Sequence, residues 1–302
     1  MRTIKQFNTP ILYLVFNRLN YVKKTFERIK EIKPQQLFIA SDGARNIKEK
    51  KVVNEIREYI LKNINWKCDV KTLFRDKNLG CKYAVSNAIN WFFENIEQGI
   101  ILEDDCLPDP SFFTFCEEML EMYKDKKEVM SITGQNSLGE LKYLKDKSYT
   151  FSKNFFCWGW ATWRESWNKI DVGMQQYKEC DKNKLYSLYL ENIIVGKRFN
   201  ANAFTKPVSW AIDFSFSHRL NSGLCIVPKR NLVENIGLNG KLYTHTKPNY
   251  FDKRYLHKEA QELIAYNHPN KIKQDMKFEK RYINQDIKRI ILKKIFGEFA
   301  LE

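Results

Sequence analysis

Four short apolar runs alternate with segments of helical period along the N-terminal third, and that alternation restricts the fold more than any other feature of the chain. The runs are Ile11 to Phe16, Leu37 to Ala40, Val70 to Phe74 and Gly99 to Leu102. Between them, Val22, Phe26 and Ile29, then Val52, Ile56 and Ile60, then Ala84, Ala88, Trp91 and Phe92 recur at the spacing of one helix face. A β-α-β-α-β-α-β order calls for a mostly parallel sheet flanked by helices, an α/β fold with right-handed crossovers.

Ligands of such open sheets bind outside the carboxyl ends of the strands. Each predicted strand here ends in a polar segment: Asn17-Arg18, Ser41-Asp42-Gly43-Ala44-Arg45, Arg75-Asp76-Lys77-Asn78-Leu79-Gly80, and Glu103-Asp104-Asp105. The last is the most unusual, because three adjacent acids leave a buried strand in a chain of formal charge +15. Adjacent carboxylates at a half-buried strand end repel one another and lose hydration unless positive charge arrives. Mn²⁺ or Mg²⁺ answers that need with oxygen ligands and leaves coordination positions for a diphosphate, which the surrounding Lys and Arg also attract. The plainer alternative makes Glu103 and Asp105 a solvated loop and Asp104 a turn cap.

Farther along, Asp109-Pro110 reads as a helix cap followed by proline at the first helical position, with Phe112, Phe113, Cys116, Met119 and Leu120 at helical spacing behind it. Met130 to Thr133 reads as a strand. The aromatic segment from Phe155 to Trp167 reads as core, with one or two rings available to stack on a sugar.

Taken together, these residues resemble a GT-A (Rossmann-like) glycosyltransferase, and more narrowly the N-acetylglucosaminyltransferase I type. The matching pieces are Ile100-Ile101-Leu102-Glu103-Asp104-Asp105, Pro108 to Phe113, Asn17-Arg18, Ser41-Asp42-Gly43, Gly159-Trp160 before Trp167, and Trp210, Asp213, Gly223, Cys225 and Pro228. They span roughly residues 10–245. The resemblance implies a nucleotide-diphosphate sugar donor, a uridine nucleotide in that family, and inverting transfer to a hydroxyl. On it, Asp105 holds the cation, Glu103 and Asp104 line the nucleotide and sugar, and Arg18 and Asp42 contact the nucleoside. Lys82 is either a phosphate partner or a solvated lysine at a helix start. Asp213 is the acid nearest the family's catalytic carboxylate, one residue later than the family's base. Its alternative is an N-cap for a helix from Phe214 to Leu220, and Glu165 and Asp171 stand in reserve. His245 lies where many such chains carry a mobile loop, and it either completes the metal shell or is an ordinary histidine.

The resulting organisation is a nucleotide-sugar half over residues 1–105, an acceptor half with the base over 106–250, and a basic helical tail over 251–302. From Lys271 to Phe296 there are nine Lys or Arg against three acids, and Ile283, Ile287, Ile291 and Ile295 recur every four residues. This amphipathic helix either lies on an anionic membrane or docks its Ile stripe on the core. The apolar runs are too short to span a bilayer, and seven scattered cysteines without a C-x-x-C pair fit a reducing cytoplasm. A cytoplasmic enzyme meeting a glycan or lipid-linked acceptor at the inner membrane face is the expectation. A sugar-nucleotide nucleotidyltransferase would carry a Gly-rich loop after the first strand, where this chain reads Phe16-Asn17-Arg18-Leu19-Asn20. A nucleic-acid-binding protein would spread its basic residues with exposed aromatics over one face, and no such signature is present.

Overall fold

A computed structural model describes residues 7–173, 175–176, 209–239 and 256–296. The four expected strands form: β1 (Ile11–Val15), β2 (Gln36–Ser41), β3 (Asp69–Phe74) and β4 (Gln98–Glu103), separated by α1 (Leu19–Ile32), α2 (Ile47–Asn63) and α3 (Gly80–Asn95). After β4 come β5 (Cys106–Pro108), α4 (Pro110–Tyr123), β6 (Val129–Thr133), β7 (Tyr149–Ser152), β8 (Trp160–Trp163) and the single turn α5 (Arg164–Trp167). Then follow α6 (Trp210–Leu220), β9 (Leu224–Pro228), β10 (Val233–Asn235) and α7 (Met276–Phe296).

One eight-stranded sheet runs in the order β3-β2-β1-β4-β8-β6-β9-β7. β3, β2, β1 and β4 are mutually parallel, as are β6 and β9, while β8 and β7 pair antiparallel to their neighbours. The central strands are buried on both faces, which is why β1 reads as the unbroken apolar run Ile-Leu-Tyr-Leu-Val. On one face α1, α2 and α4 supply Phe26, Ile56 and Phe112 to the core. On the other, α3 and α6 supply Phe92, Trp210 and Phe214, packed against Trp160 and Trp167. The aromatic segment is core, as expected. Trp160 stacks on Trp210 with centroids 5.6 Å apart.

Local chemistry sets the helix starts. Asp109 caps α4 by accepting the Ser111 amide at 2.9 Å, with Pro110 first in the helix. Asn46 caps α2 by accepting the Glu49 amide at 3.0 Å. The chain runs outward from β1 through β2 to β3 and then returns to the far side of β1 as β4, so the switch point lies between β1 and β4. Their register sets Leu14 beside Glu103, which delivers the acidic triplet to that crevice.

The C-terminal segment departs from the expected helical tail. Residues 257–275 hold no helix and lie along the body, with the Asn267 amide donating to Ser148 Oγ at 2.8 Å and the Gln261 amide to the Asn231 carbonyl at 2.7 Å. Within the described residues 257–296, the helix is α7, Met276–Phe296. Among its described side chains the core contact is aromatic: Phe278 is buried with Leu141, Phe156 and Val227, Tyr282 packs beside it, and Glu279 accepts from Ser152 Oγ at 3.0 Å and the Lys153 amide at 2.8 Å. Ile283 and Ile287 are half-buried and Ile291 is exposed. Aromatic rings bury more area than isoleucine, so they set the docked face. Phe278→Ala is expected to lower unfolding stability by about 3 kcal/mol in urea titration. Ile291→Ala is expected to change it by less than about 0.5 kcal/mol. Comparable losses at both would mean that the Ile face makes the contact.

Candidate active site at the switch point

The crevice between β1 and β4 opens into a cleft of about 180 Å³ lined by Phe16, Arg18, Asp42, Arg45, Arg75, Asn78, Gly80, Cys81, Glu103 and Asp104, among others. All four polar strand ends named from the sequence therefore meet at one place. Arg45 and Arg75 belong to those segments but were not expected as site residues, and they bring two cations to the cleft wall.

Arg18 is the counterion of the triplet. Its guanidinium pairs with Asp104 through one nitrogen and with Asp105 Oδ2 at 2.8 Å through the other, and it lies 5.5 Å from the centre of the Tyr21 ring. Arg18 and Asp104 are 8% and 2% exposed, so the pair is held out of water. In this structure Arg18 serves as an ionic clamp on the two aspartates. Asp42 is likewise occupied: its carboxylate accepts from the amides of Gly43, Leu79 and Gly80 and from Asn78 Nδ2, at 2.9 to 3.1 Å. An acid there satisfies the free amides at the start of α3 and complements the helix dipole. Arg57, which belongs to no motif, reaches from α2 to the carbonyls of Ser41, Asp42 and Arg75 and knits the ends of β2 and β3. Gly43 is required by packing, because a Cβ would come within 2.4 Å of the Lys77 carbonyl carbon.

Asp105 faces the second sheet, in which β5 pairs with β10. The Ile236 amide donates to its carbonyl at 2.9 Å, and a Cβ on Gly237 would meet Asp105 Oδ2 at 2.7 Å. The base candidate Asp213 does not cap a helix. Ser209 caps α6, and Asp213 sits in its first turn, fully buried, with Oδ2 at 2.7 Å from Lys82 Nζ and 3.0 Å from the Gly173 amide. Lys82 therefore meets a carboxylate, and the solvated alternative does not hold, since it is 7% exposed. Of the reserves, Glu165 is exposed and paired with Lys127 beyond the opposite end of β4, where Trp163 pairs with Gln98. Asp171 accepts from the Gln176 amide at 2.7 Å. His245 lies outside the described residues.

With this geometry in view, the comparisons with known proteins fall into place. No family model matches the chain. A curated relative, alpha-1,3-mannosyl-glycoprotein 2-beta-N-acetylglucosaminyltransferase of Arabidopsis thaliana, is 20% identical over 172 residues. The match takes in 53% of this chain and 38% of the relative, so the chain spans well under half of that protein's length. The similarity is to a glycosyltransferase of the type read from the residues. Among solved structures, GalNAc-T7 with UDP, GalNAc and Mn²⁺ aligns at TM-score 0.45 and 11% identity, covering 74% of this chain and 43% of that one. The mannosyltransferase PcManGT from Pyrobaculum calidifontis, with GDP-Man and Mn²⁺, aligns at 0.36 and 13%, covering 54% and 46%. An apo UDP-glucose pyrophosphorylase aligns at 0.34 and 10%, covering 75% and 93%. Superpositions this shallow leave the strand order itself as the description of the fold.

The donors at the triplet are oxygens, the type that Mn²⁺ and Mg²⁺ accept. Asp104 Oδ2 is buried without a hydrogen-bond partner among the described residues, and Asp105 Oδ1 has the Cys106 thiol at 3.7 Å. Among the described residues no group of three or more His, Cys, Asp or Glu side chains converges on a point. The arrangement fits a cation held by one or two carboxylates with its remaining positions open, and not a closed protein cage. Nearby thiols stay protonated: burial, with Glu103 adding to it, pushes Cys81 up to about 12, and burial with Asp105 holds Cys106 well above its ordinary value.

Glu103 is half-buried as a residue, yet burial of its carboxyl, reinforced by Asp105 and opposed by Arg18, raises it to about 8. Burial opposed by Arg18 raises Asp104 to about 6. A raised carboxyl stabilises the fold fully below its unfolded value near 4.5, and that contribution is lost as pH rises through about 8. Glu103→Gln is therefore expected to match the parent in melting temperature at pH 4.5 and to exceed it by at least about 3 °C at pH 8.5 in EDTA. An equal difference at both pH values would show that Glu103 is ionised throughout.

Proposed function

We propose that the protein is a metal-dependent, inverting glycosyltransferase that moves a sugar from a nucleotide-diphosphate donor to a hydroxyl of a glycan or lipid-linked acceptor. The observation that carries this reading is the acidic triplet at the β1/β4 switch point, whose buried Asp104 and half-buried Glu103 line a cleft walled by Arg45 and Arg75. Carboxylates beside guanidinium groups suit a ligand with a cation on one side and phosphates on the other. The family resemblance of the residues favours a UDP-sugar among the possible donors.

Asp105 would be the protein's ligand to Mn²⁺ or Mg²⁺, with His245 as a second candidate. The bound ion would neutralise charge on the departing diphosphate. Arg18 holds Asp104 and Asp105 in place, and Asp42 fixes the start of α3 along the cleft edge. On the acceptor side a new bond forms between the hydroxyl oxygen and the anomeric carbon while the bond to the diphosphate breaks. Asp213 takes the hydroxyl proton.

The test is a panel of UDP- and GDP-sugars assayed for nucleoside diphosphate release with Mn²⁺ or with EDTA. One donor is expected to turn over, EDTA to abolish turnover, and Asp105→Ala to weaken metal-dependent donor binding at least about tenfold. Asp213→Asn is expected to keep donor binding and lose about 100-fold or more in kcat. No response to any donor, together with tight polynucleotide binding, would overturn the reading. Normal transfer by Asp213→Asn would remove Asp213 as the base.

A further inference from the structure

The Lys82–Asp213 pair joins two helices that the sequence places far apart. Lys82 stands in the first turn of α3, next to Gly80 and Cys81, which line the cleft. Asp213 stands in the first turn of α6. Their side chains are 8% and 1% exposed and their charged atoms are 2.7 Å apart. The Gly173 amide holds the same carboxylate oxygen, Oδ2, at 3.0 Å, while Oδ1 is buried with no hydrogen-bond partner among the described residues.

A purely structural account of this pair is weak in energy. Removing an ammonium and a carboxylate from water costs several kcal/mol per ion, and an apolar pair of similar size commonly joins two helices as well or better. Apolar contacts already serve there, since Trp210 and Phe214 of α6 share a core with Ala88, Ile89 and Phe92 of α3. The charges are also one-sided. The Gly173 amide donates to Oδ2 and the Lys82 ammonium lies against the same oxygen as an ion pair, while Oδ1 keeps an unused lone pair in a site of low dielectric, where an unmet acceptor is costly. That pattern is what a carboxylate needs if one oxygen is to be fixed and the other is to take a proton.

We propose, resting on the glycosyltransferase reading above, that Lys82 is a positioning residue for Asp213. It clamps Oδ2 and leaves Oδ1 for the acceptor hydroxyl. Because Lys82 belongs to the helix whose start borders the donor cleft, the clamp also sets the spacing between base and donor. Lys82 is then not a phosphate ligand, and its loss falls on turnover and not on donor affinity.

The experiment compares wild type, Lys82→Met, Lys82→Arg, Asp213→Asn and the Lys82→Met/Asp213→Asn double variant. Donor Kd is read by calorimetry, and kcat and acceptor KM from nucleoside diphosphate release, with folding checked by circular dichroism. Lys82→Met is expected to bind donor within about twofold of wild type and to lose about 100-fold in kcat with KM little changed. Lys82→Arg restores charge but not position and is expected to recover about tenfold of that loss. The double variant is expected to be no slower than Asp213→Asn, because the two residues act as a unit. If Lys82→Met does not fold, Lys82→Arg carries the test through the same split, with donor Kd unchanged and kcat about tenfold below wild type. A donor Kd weakened tenfold or more in either Lys82 variant, or losses in the double variant that simply multiply, would overturn the inference while leaving the enzyme reading intact. A wild-type chain that transfers no sugar from any donor would overturn both.

Discussion

The site depends on Arg18. Three carboxylates in sequence at the end of a buried strand would force that strand end into water or into protonation, and one guanidinium bridging Asp104 and Asp105 lets the triplet stay at the crevice. The bridge is possible because β1 and β4 are neighbours: the turn that follows β1 carries Arg18, and the turn that follows β4 carries the acids. Burial, with repulsion from Asp105 adding to it and Arg18 opposing it, raises the carboxyls of Glu103 and Asp104. On the proposed reading, a ligand that brings its own cation completes the balance.

Beyond this clamp, polar contacts each tie two elements together. Asp42 joins β2 to the start of α3, Arg57 joins α2 to the ends of β2 and β3, and Asp213 joins α6 to α3. Each anchor is charged and each partner is largely a backbone group or a second buried charge. Such ties fix orientation better than apolar packing does, because hydrogen bonds are directional and buried ones are costly to break. The hydrophobic work is done below the rim, where aromatic rings on both sheet faces pack the helices.

What was legible in the sequence was local. The four strands, the apolar faces of α1 to α3, the Asp109-Pro110 start of α4 and the polar strand ends all follow from periodicity and capping within a few residues. What was not legible was pairing at a distance. β8 slips antiparallel between β4 and β6, and its sequence Trp-Ala-Thr-Trp reads as core before it reads as strand. Arg18 stands in a polar strand end that the sequence marks, yet nothing near it reveals the acids 86 residues away that it pairs with. Lys82 was given two solvent-facing roles, and the structure supplies a third, because its partner lies on a helix from the other half of the chain. On α7 the regular isoleucine spacing drew attention from Phe278 and Tyr282, whose larger rings fix the docked face.

The central claim is that the acids after β4 exist to hold a cation that in turn holds a diphosphate. The most direct measurement is anomalous diffraction from crystals grown with Mn²⁺ and UDP. The account predicts a manganese peak at Asp105, with phosphate oxygens completing its shell and the nucleotide lying along the β1–β4 crevice beside Arg45 and Arg75. Manganese and nucleotide bound elsewhere, with Asp104 and Asp105 still holding Arg18 alone, would contradict it.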